Sequence, residues 1–417
     1  MIINFLYFFI DRPPRRFAQN LEDIAYQAGL PYSRWKSKQI SNRTLGFEKI
    51  FVVGLPARSD RRDAMQLSAS LTDIDIAWVD GVSGKEMATS AVPPALFDPD
   101  MQGLTGRAQV GSWRGHMNTI RQIVREGLGS ALVLEDDVDW DVNIVAQLQQ
   151  FANASIELLQ KLNSRQHNET TLVCSDSPYG EGWDILWLGH CGGWIPPAEF
   201  NQYNSIISSD STVPPPIAIQ DMLNGVRADS GPCAAHAGRD PTHMACKSPR
   251  LLPHQRIVQI KSSPICSFAY ALSQKGARKA LLHLGGSALP DIKASFDTML
   301  TEVCRGEKDV FGGEETKCLT VSPPYFVHHR ARGAASGDSD ITPLQGDETQ
   351  GSREIGFTKG VVFSTRLNAR NLIEGREAES QYIWIDERTK WRCKHQDEYR
   401  GGQNFTSITY KPGLGGL

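Results

Sequence analysis

Residues 131–141 read ALVLEDDVDWD. An aliphatic run climbs to Leu134 and then breaks into Glu135, Asp136 and Asp137, with Asp139 and Asp141 close behind. A short apolar run bounded in this way reads as a buried strand. Its acidic end would lie at the carboxyl edge of an open α/β sheet, where ligands bind. Five carboxylates within residues 135–141 repel one another unless something positive sits among them. In an extended chain Glu135 and Asp137 point to one face and Asp136 to the other. Hard oxygen ligands gathered at such a place suit Mg²⁺ or Mn²⁺. The alternative is local: acidic residues favour the N-terminus of the following helix, and Asp139 or Asp141 could serve there.

The flanking sequence sets this strand in a repeating pattern. FEKIFVVGLP (47–56) is a buried-strand candidate stopped by Pro56, and SDRRDAMQLSASL (59–71) is a helix capped by Ser59 or Asp60. DIAWVDG (75–81) is a second strand, followed by a loop over 82–104 and a helix from about Gln109 to Gly127. After the acidic strand come an amphipathic helix over 142–162 and a strand at WDILWLGH (183–190). Alternating strands and helices predict βαβ units and a mostly parallel sheet with helices on both faces. Residues 196–254 lose periodicity and read as an irregular insertion. Order resumes at 256–261 and 267–273, helices follow at 274–284 and 294–304, and 317–329, with a strand expected before His328, ends the compact part. Residues 333–356 are linker-like, 358–373 suggest one more helix, and the tail reads as disordered. The expected division is an N-terminal segment (1–44), an α/β domain (45–330), and a linker with a C-terminal extension (331–417).

Composition narrows the class. The chain has 417 residues, 40% hydrophobic and 22% charged, which predicts a core-forming globular protein. A net charge of −3 supplies no basic field for nucleic acid. There is no G-x-x-x-x-G-K-[ST] loop and no G-x-G-x-x-G, which argues against a P-loop kinase or a dinucleotide enzyme. None of the eight cysteines forms a C-x-x-C pair, so a zinc knuckle is not expected; disulfides and buried thiols both remain open. Sequons at Asn42, Asn153, Asn168 and Asn404 tilt toward the secretory route. The opening MIINFLYFFI is followed by DRPPRR and is shorter than the roughly 20 apolar residues of a membrane span. It reads as a disordered start or as the remnant of a signal anchor.

Four segments together resemble glycosyltransferase family 25: KIFVVGLPARSDRRDAM, WVDGVSG, GSWRGHMNTIRQIV and SALVLEDDVDWD, in this order. That group includes lipooligosaccharide and collagen galactosyltransferases. SPYGEGWDILWLGHCG, FAYALSQKGARKALL and CLTVSPPYFVHHR resemble its fungal branch. The likeness covers about residues 45–330 and, weakly, 355–373. It implies a GT-A fold, a nucleotide-sugar donor (UDP-galactose as the expectation), a divalent metal and inverting transfer to a glycan or glycoprotein acceptor. It also implies the Golgi or endoplasmic reticulum lumen, with membrane association through a missing or truncated anchor.

Carried over residue by residue, Glu135 and Asp137 hold the outer positions of the family's DxD-like motif, with Asp137 first as metal ligand and Asp136 toward the donor. Leu55, Pro56, Arg58 and Arg62 fall in its donor-nucleotide loop, and helix N-termini and arginines both attract phosphate. His116 matches its helix-motif histidine. Gly54 stands where members usually carry Asn, and Gly115 where bacterial members carry Ser. His328 and His329 resemble the late histidine that completes a GT-A metal site. For the base that takes the acceptor proton, Asp297 is the first candidate and Asp184 the second. Asp297 reads equally well as a helix cap, and Asp184 begins a strand. His190 could face the same cleft, and Trp183, Trp187 and Trp194 could pack in the core or against sugar rings. A metal-dependent phosphohydrolase and a degenerate, non-catalytic sugar- or nucleotide-binding protein are the rival functions.

Overall fold

The computed structural model describes residues 39–92, 104–167, 177–194, 204–207, 210–214, 254–260, 263–285, 295–305, 315–334, 337–341, 352–386 and 390–393. The strands run β1 (Lys49–Gly54), β2 (Ala77–Asp80), β3 (Ser130–Glu135), β4 (Val138–Trp140), β5 (Ile185–Gly189) and β6 (Gly192–Trp194). They continue with β7 (Asn204–Ile207), β8 (Arg256–Ile260), β9 (Ser263–Ile265), β10 (Ala269–Ser273), β11 (Cys318–Ser322) and β12 (Phe326–Arg330). Short ribbons follow: β13 (Gly333–Ala334), β14 (Ser352–Arg353), β15 (Phe357–Thr358), β16 (Tyr382–Asp386) and β17 (Lys390–Cys393). The helices are α1 (Ser59–Leu71), α2 (Leu104–Glu126), α3 (Ile144–His167), α4 (Gln274–Gly285), α5 (Phe296–Arg305) and α6 (Ala369–Ile373).

Eight strands form the main sheet in the order β2-β1-β3-β10-β5-β11-β8-β7. The β2-β1-β3 unit is parallel, as the alternation predicts, and β5 pairs with β11 in parallel. The expectation of a mostly parallel sheet is corrected at its centre. β10 runs antiparallel to both β3 and β5, and β8 and β7 form an antiparallel flank. The chain enters β10 from the acidic end of the sheet, where the Glu135 amide donates to the Phe268 carbonyl at 3.0 Å. A strand arriving from that end needs no crossover. Its residues are buried on both faces, so the sequence AYALS carries no sign of direction. β7 lies inside the stretch read as an irregular insertion, and it pairs with β8 along the sheet edge.

Period-2 alternation sorts the core into two layers. Ile50, Val52, Leu132 and Leu134 share one layer with Met65 of α1 and with Leu148 and Phe151 of α3. Phe51, Ala131 and Val133 share the other with Trp113 and Met117 of α2, Ala277 of α4 and Leu300 of α5. Continuing that alternation beyond Leu134 sends Glu135 to the α2 side and Asp136 to the α1 side. The two carboxylates therefore meet different partners.

Past the acidic turn the chain forms β4, which pairs with β12; β12 in turn pairs with β15. The expected helix over 358–373 is corrected: β15 and a turn come first, and only Ala369–Ile373 is helical. Hydroxyls and amides drawn to Asp139 and Asp141 account for the difference. Asp139 is fully buried, and it accepts from the Thr358 hydroxyl at 2.6 Å, the Ser364 hydroxyl, and the Arg366 amide at 3.2 Å. Asp141 accepts from the Phe363 amide at 2.9 Å and from the Asn143 amide at 2.9 Å. Asp141 thus serves the start of α3 as expected, while Asp139 anchors the segment after residue 352. The helix expected from about Gln109 begins earlier, at Leu104. The N-terminal apolar run, most of 196–254 and the tail lie outside the described residues. Among those described, no helix is long and apolar enough to cross a membrane.

Candidate functional site

A cavity of about 780 Å³ opens at the carboxyl ends of β1, β2 and β3. Val53 and Gly54 wall it from β1, Gly115 and His116 from α2, and Glu135 to Asp137 from the acidic turn. The far wall comes from Phe268, His328 and Arg330.

The geometry of the acidic turn follows from strand alternation. Single ligand atoms of Glu135, Asp137 and His328 lie within 4.8 Å of one another. His328 Nε2 is 3.3 Å from Asp137 Oδ1 and 3.5 Å from Glu135 Oε2. Asp137 Oδ1 is buried without a hydrogen-bond partner. A desolvated carboxylate oxygen left unpaired is costly, and a cation would satisfy it. Two carboxylates and one imidazole fit Mn²⁺ or Mg²⁺, with the nitrogen ligand favouring a first-row ion. His329 points the other way because β12 alternates. Its Nδ1 lies 2.8 Å from the Thr358 hydroxyl, and burial lowers its pKa to about 4. The structure therefore brings one of the two histidines to the cluster and takes the other to the Asp139 side.

The positive group among the carboxylates is Arg61. Its Nη1 is 2.8 Å from Asp136 Oδ1 and 3.3 Å from Asp137 Oδ2. Burial opposes the Asp137 charge, but His328, Arg61, Arg330 and Arg366 outweigh it and hold the pKa down. Asp136 is pushed up to about 6, by burial first and by Asp137 second. Its carboxylate fills the space that a side chain at position 54 would need: a Cβ on Gly54 would sit 2.5 Å from Asp136 Oδ2. From behind, the nearly buried Arg366 donates to the carbonyls of Val138 at 3.0 Å and Asp136 at 3.1 Å.

The other residues singled out in the sequence scatter around this centre. Leu55 lines the cavity, whereas Arg58, Arg62 and Pro56 do not. Arg58 pairs with Asp60 at 2.8 Å and with Asp340. Arg62 pairs with Asp80 and stacks on Trp78 at 4.6 Å. His116 lines the cavity but is only 2% exposed, stacked on Phe296 at 4.1 Å. Asp297 lies behind the wall, where it accepts from the Cys266 amide at 2.7 Å and from the Ser295 hydroxyl. Asp184 is not brought to the site. It sits before β5, at the opposite end of the sheet, where Lys279 Nζ donates to it at 2.7 Å. His190 is buried against the Val321 carbonyl at 2.8 Å and does not line the cleft. Trp183 and Trp187 belong to the core, and the side chain of Trp194 lies outside the described residues.

Two features had no sequence warning, and an open question about the cysteines is answered. Residues 337–341 form a strap over the arginines: the Asp338 carbonyl accepts from Arg61 at 2.9 Å and from Arg330 at 3.2 Å. Asp338 also lines a second cavity of about 250 Å³, on the far side of Arg61. A disulfide, Cys191–Cys266, forms part of the larger cavity's wall, and a second joins Cys304 to Cys318. For these four cysteines the choice between disulfides and thiols is settled.

Residues 47–176 match the family model described as glycosyltransferase family 25 (LPS biosynthesis protein). The chain is 27% identical over 187 residues to procollagen galactosyltransferase 2 of Homo sapiens, covering 43% of this chain and 24% of that protein. It is 28% identical over 152 residues to procollagen galactosyltransferase 1 of Danio rerio, covering 35% and 22% respectively. It is also 31% identical over 152 residues to inactive glycosyltransferase 25 family member 3 of Homo sapiens, again covering 35% and 22%. The chain thus spans about a quarter or less of the length of these relatives. The segments likened to the fungal branch begin after residue 176, outside the family match. β1, α1, β2, α2 and the acidic turn all lie within it, so the stretch that carries the cavity is the stretch that is similar to glycosyltransferase family 25.

Proposed function

We propose that the protein is an inverting hexosyltransferase that moves a sugar, galactose by likeness to the procollagen galactosyltransferases, from a UDP-linked donor to a glycan or glycoprotein acceptor. One observation carries the reading: Glu135, Asp137 and His328 converge around an unsatisfied buried oxygen, beside Arg61 in a cavity at the carboxyl end of the sheet. When bound, a divalent cation there would neutralise the charge that develops on the departing diphosphate. The protein's own residues would do the rest. Arg61 is a bidentate donor suited to a phosphate. Gly54, Leu55 and the 81–85 loop form a wall with little side-chain bulk, open to a nucleoside. The acceptor oxygen would bond to the anomeric carbon as the carbon–phosphate-oxygen bond breaks, UDP would leave, and the acceptor's proton would pass to solvent through the open cavity. Two disulfides fit an oxidising lumen such as the Golgi or endoplasmic reticulum.

Calorimetric titration of the full chain with UDP, with and without Mn²⁺, tests the reading. UDP binding that requires Mn²⁺, together with galactose transfer from UDP-galactose in a donor screen, is the expected result. Asp137→Asn should abolish Mn²⁺-dependent UDP binding and reduce turnover at least 100-fold, roughly the loss of one charge-stabilising group, while the far-UV spectrum is kept. UDP binding indifferent to the metal would overturn the metal assignment. Release of free sugar that no acceptor stimulates would favour a hydrolase.

A further inference from the structure

Glu135 does not present both of its oxygens to the cavity. Ser267 Oγ donates to Oε1 at 2.7 Å, and His116 Nε2 faces the same oxygen at 3.7 Å. Oε2 is left to face His328 Nε2 at 3.5 Å. The carboxylate is therefore divided, with one oxygen held by the protein and the other turned into the Glu135–Asp137–His328 cluster.

His116 has its own support. Its Nδ1 lies 3.0 Å from the Tyr270 hydroxyl, and Phe296 stacks on the ring with planes 4° apart. Both His116 and Tyr270 are buried. Only one tautomer suits these neighbours. If Tyr270 O–H donates to Nδ1, then Nε2 carries its proton toward the Glu135 carboxylate. The reverse arrangement would aim a lone pair at an anion. A partner that fixes a histidine's tautomer also fixes what its other nitrogen can do. The corner before β10 completes the frame. Ser267 holds Glu135, the next residue Phe268 packs on His328 at 3.7 Å between ring centroids, and Cys266 is tied by its disulfide to Cys191.

We propose that Ser267, His116 and Tyr270 are positioning residues that lock Glu135 as a one-oxygen ligand through Oε2. His116 then serves Glu135 and not the donor nucleotide. The proposal rests on the cation-site reading above, and the experiment separates the two. Mn²⁺ affinity and the Mn²⁺ electron paramagnetic resonance spectrum are measured on the intact protein and on Ser267→Ala, Ser267→Thr and Tyr270→Phe, with melting curves for each. Intact protein that binds no Mn²⁺ overturns the site itself. If the intact protein binds, Ser267→Ala should weaken Mn²⁺ about 10-fold or more, the usual effect of losing a ligand's supporting hydrogen bond, and should alter the spectrum. Ser267→Thr keeps the hydroxyl and should restore both. Tyr270→Phe keeps the ring's packing and should shift in the same direction by a smaller factor. Variants that fold and bind Mn²⁺ with the intact protein's affinity and spectrum would overturn the relay while leaving the site standing.

Discussion

Among single residues, the structure separates charges that serve the cleft from charges that serve the fold. His190 belongs to the second kind. Burial lowers its pKa to about 4, and it is held neutral between the Val321 carbonyl and the Gly192 amide. In the unfolded chain an imidazole titrates near 6.5, so between about 6.5 and 4 the unfolded state binds the proton that the folded state refuses. Its contribution is complete above about 6.5 and is lost as pH falls toward 4, by about 3 kcal/mol from this group alone. Urea unfolding of the protein and of His190→Gln at pH 7 and pH 4.5 checks this. The variant should start less stable and lose less on acidification, and equal losses would contradict it. Glu135, Asp137 and one late histidine were legible because acidic residues ending an apolar strand have few structural uses. The family loop points to Arg58 and Arg62, whereas the structure places Arg61 at the acidic turn. The sign was present: Arg61 lies at i relative to Met65 (i+4), Ser68 (i+7) and Ala69 (i+8), the buried stripe of α1. Successive helix residues turn by about 100°, so of three neighbouring arginines one faces the acidic turn. Ser267 and Tyr270 carried no local signal, because their roles arise from β10 pairing with β3 across more than a hundred residues.

At the level of elements, the acidic stretch divides into two unequal parts. Residues 135–137 face the cavity, while Asp139, after one turn into β4, is sealed under the segment that follows residue 352. Four donors reach its carboxylate: the hydroxyls of Thr358 and Ser364, and the amides of Trp140 and Arg366. Asp139→Ala should cost roughly 3 kcal/mol or more, because it leaves buried donors unpaired, and a lowered urea midpoint checks this. Loss of the anchor also loosens Arg366, which braces the Asp136 carbonyl, so UDP affinity should fall with stability. A variant with unchanged stability would show that the clasp contributes nothing. The strands and long helices were readable from periodicity, and most boundaries moved by only a few residues. Periodicity suggests a helix over 358–373, but the segment's form comes from side chains bonding to distant carboxylates, which periodicity does not record.

For the whole molecule, residues after 330 pack against the α/β body. The stretch over 352–386 supplies β15, Arg366 and α6, and α6 packs against α1. A chain ended after residue 351 should unfold at lower denaturant and bind UDP at least 10-fold more weakly, since Arg366 and the lid over Asp139 go together. Circular dichroism with calorimetry measures both, and a truncated protein with native affinity would overturn the assignment. The α/β class was legible because alternating elements constrain layer order. Sheet direction was not, because a strand buried on both faces reads the same whichever way it runs.

The central place of β10 also governs how the polypeptide comes together in time. β1 to β4 are synthesised first, yet the inner edge of β3 has no neighbour until residues 269–273 emerge. Until then the nascent chain carries an unpaired apolar strand edge, a template for wrong pairing. Contacts this distant in sequence are entropically slow to close. The Cys191–Cys266 bridge closes a shorter loop, joining the chain just past β5 to the corner that leads into β10. The bridge and the closure of the sheet therefore depend on the same late stretch of chain, residues 266–273.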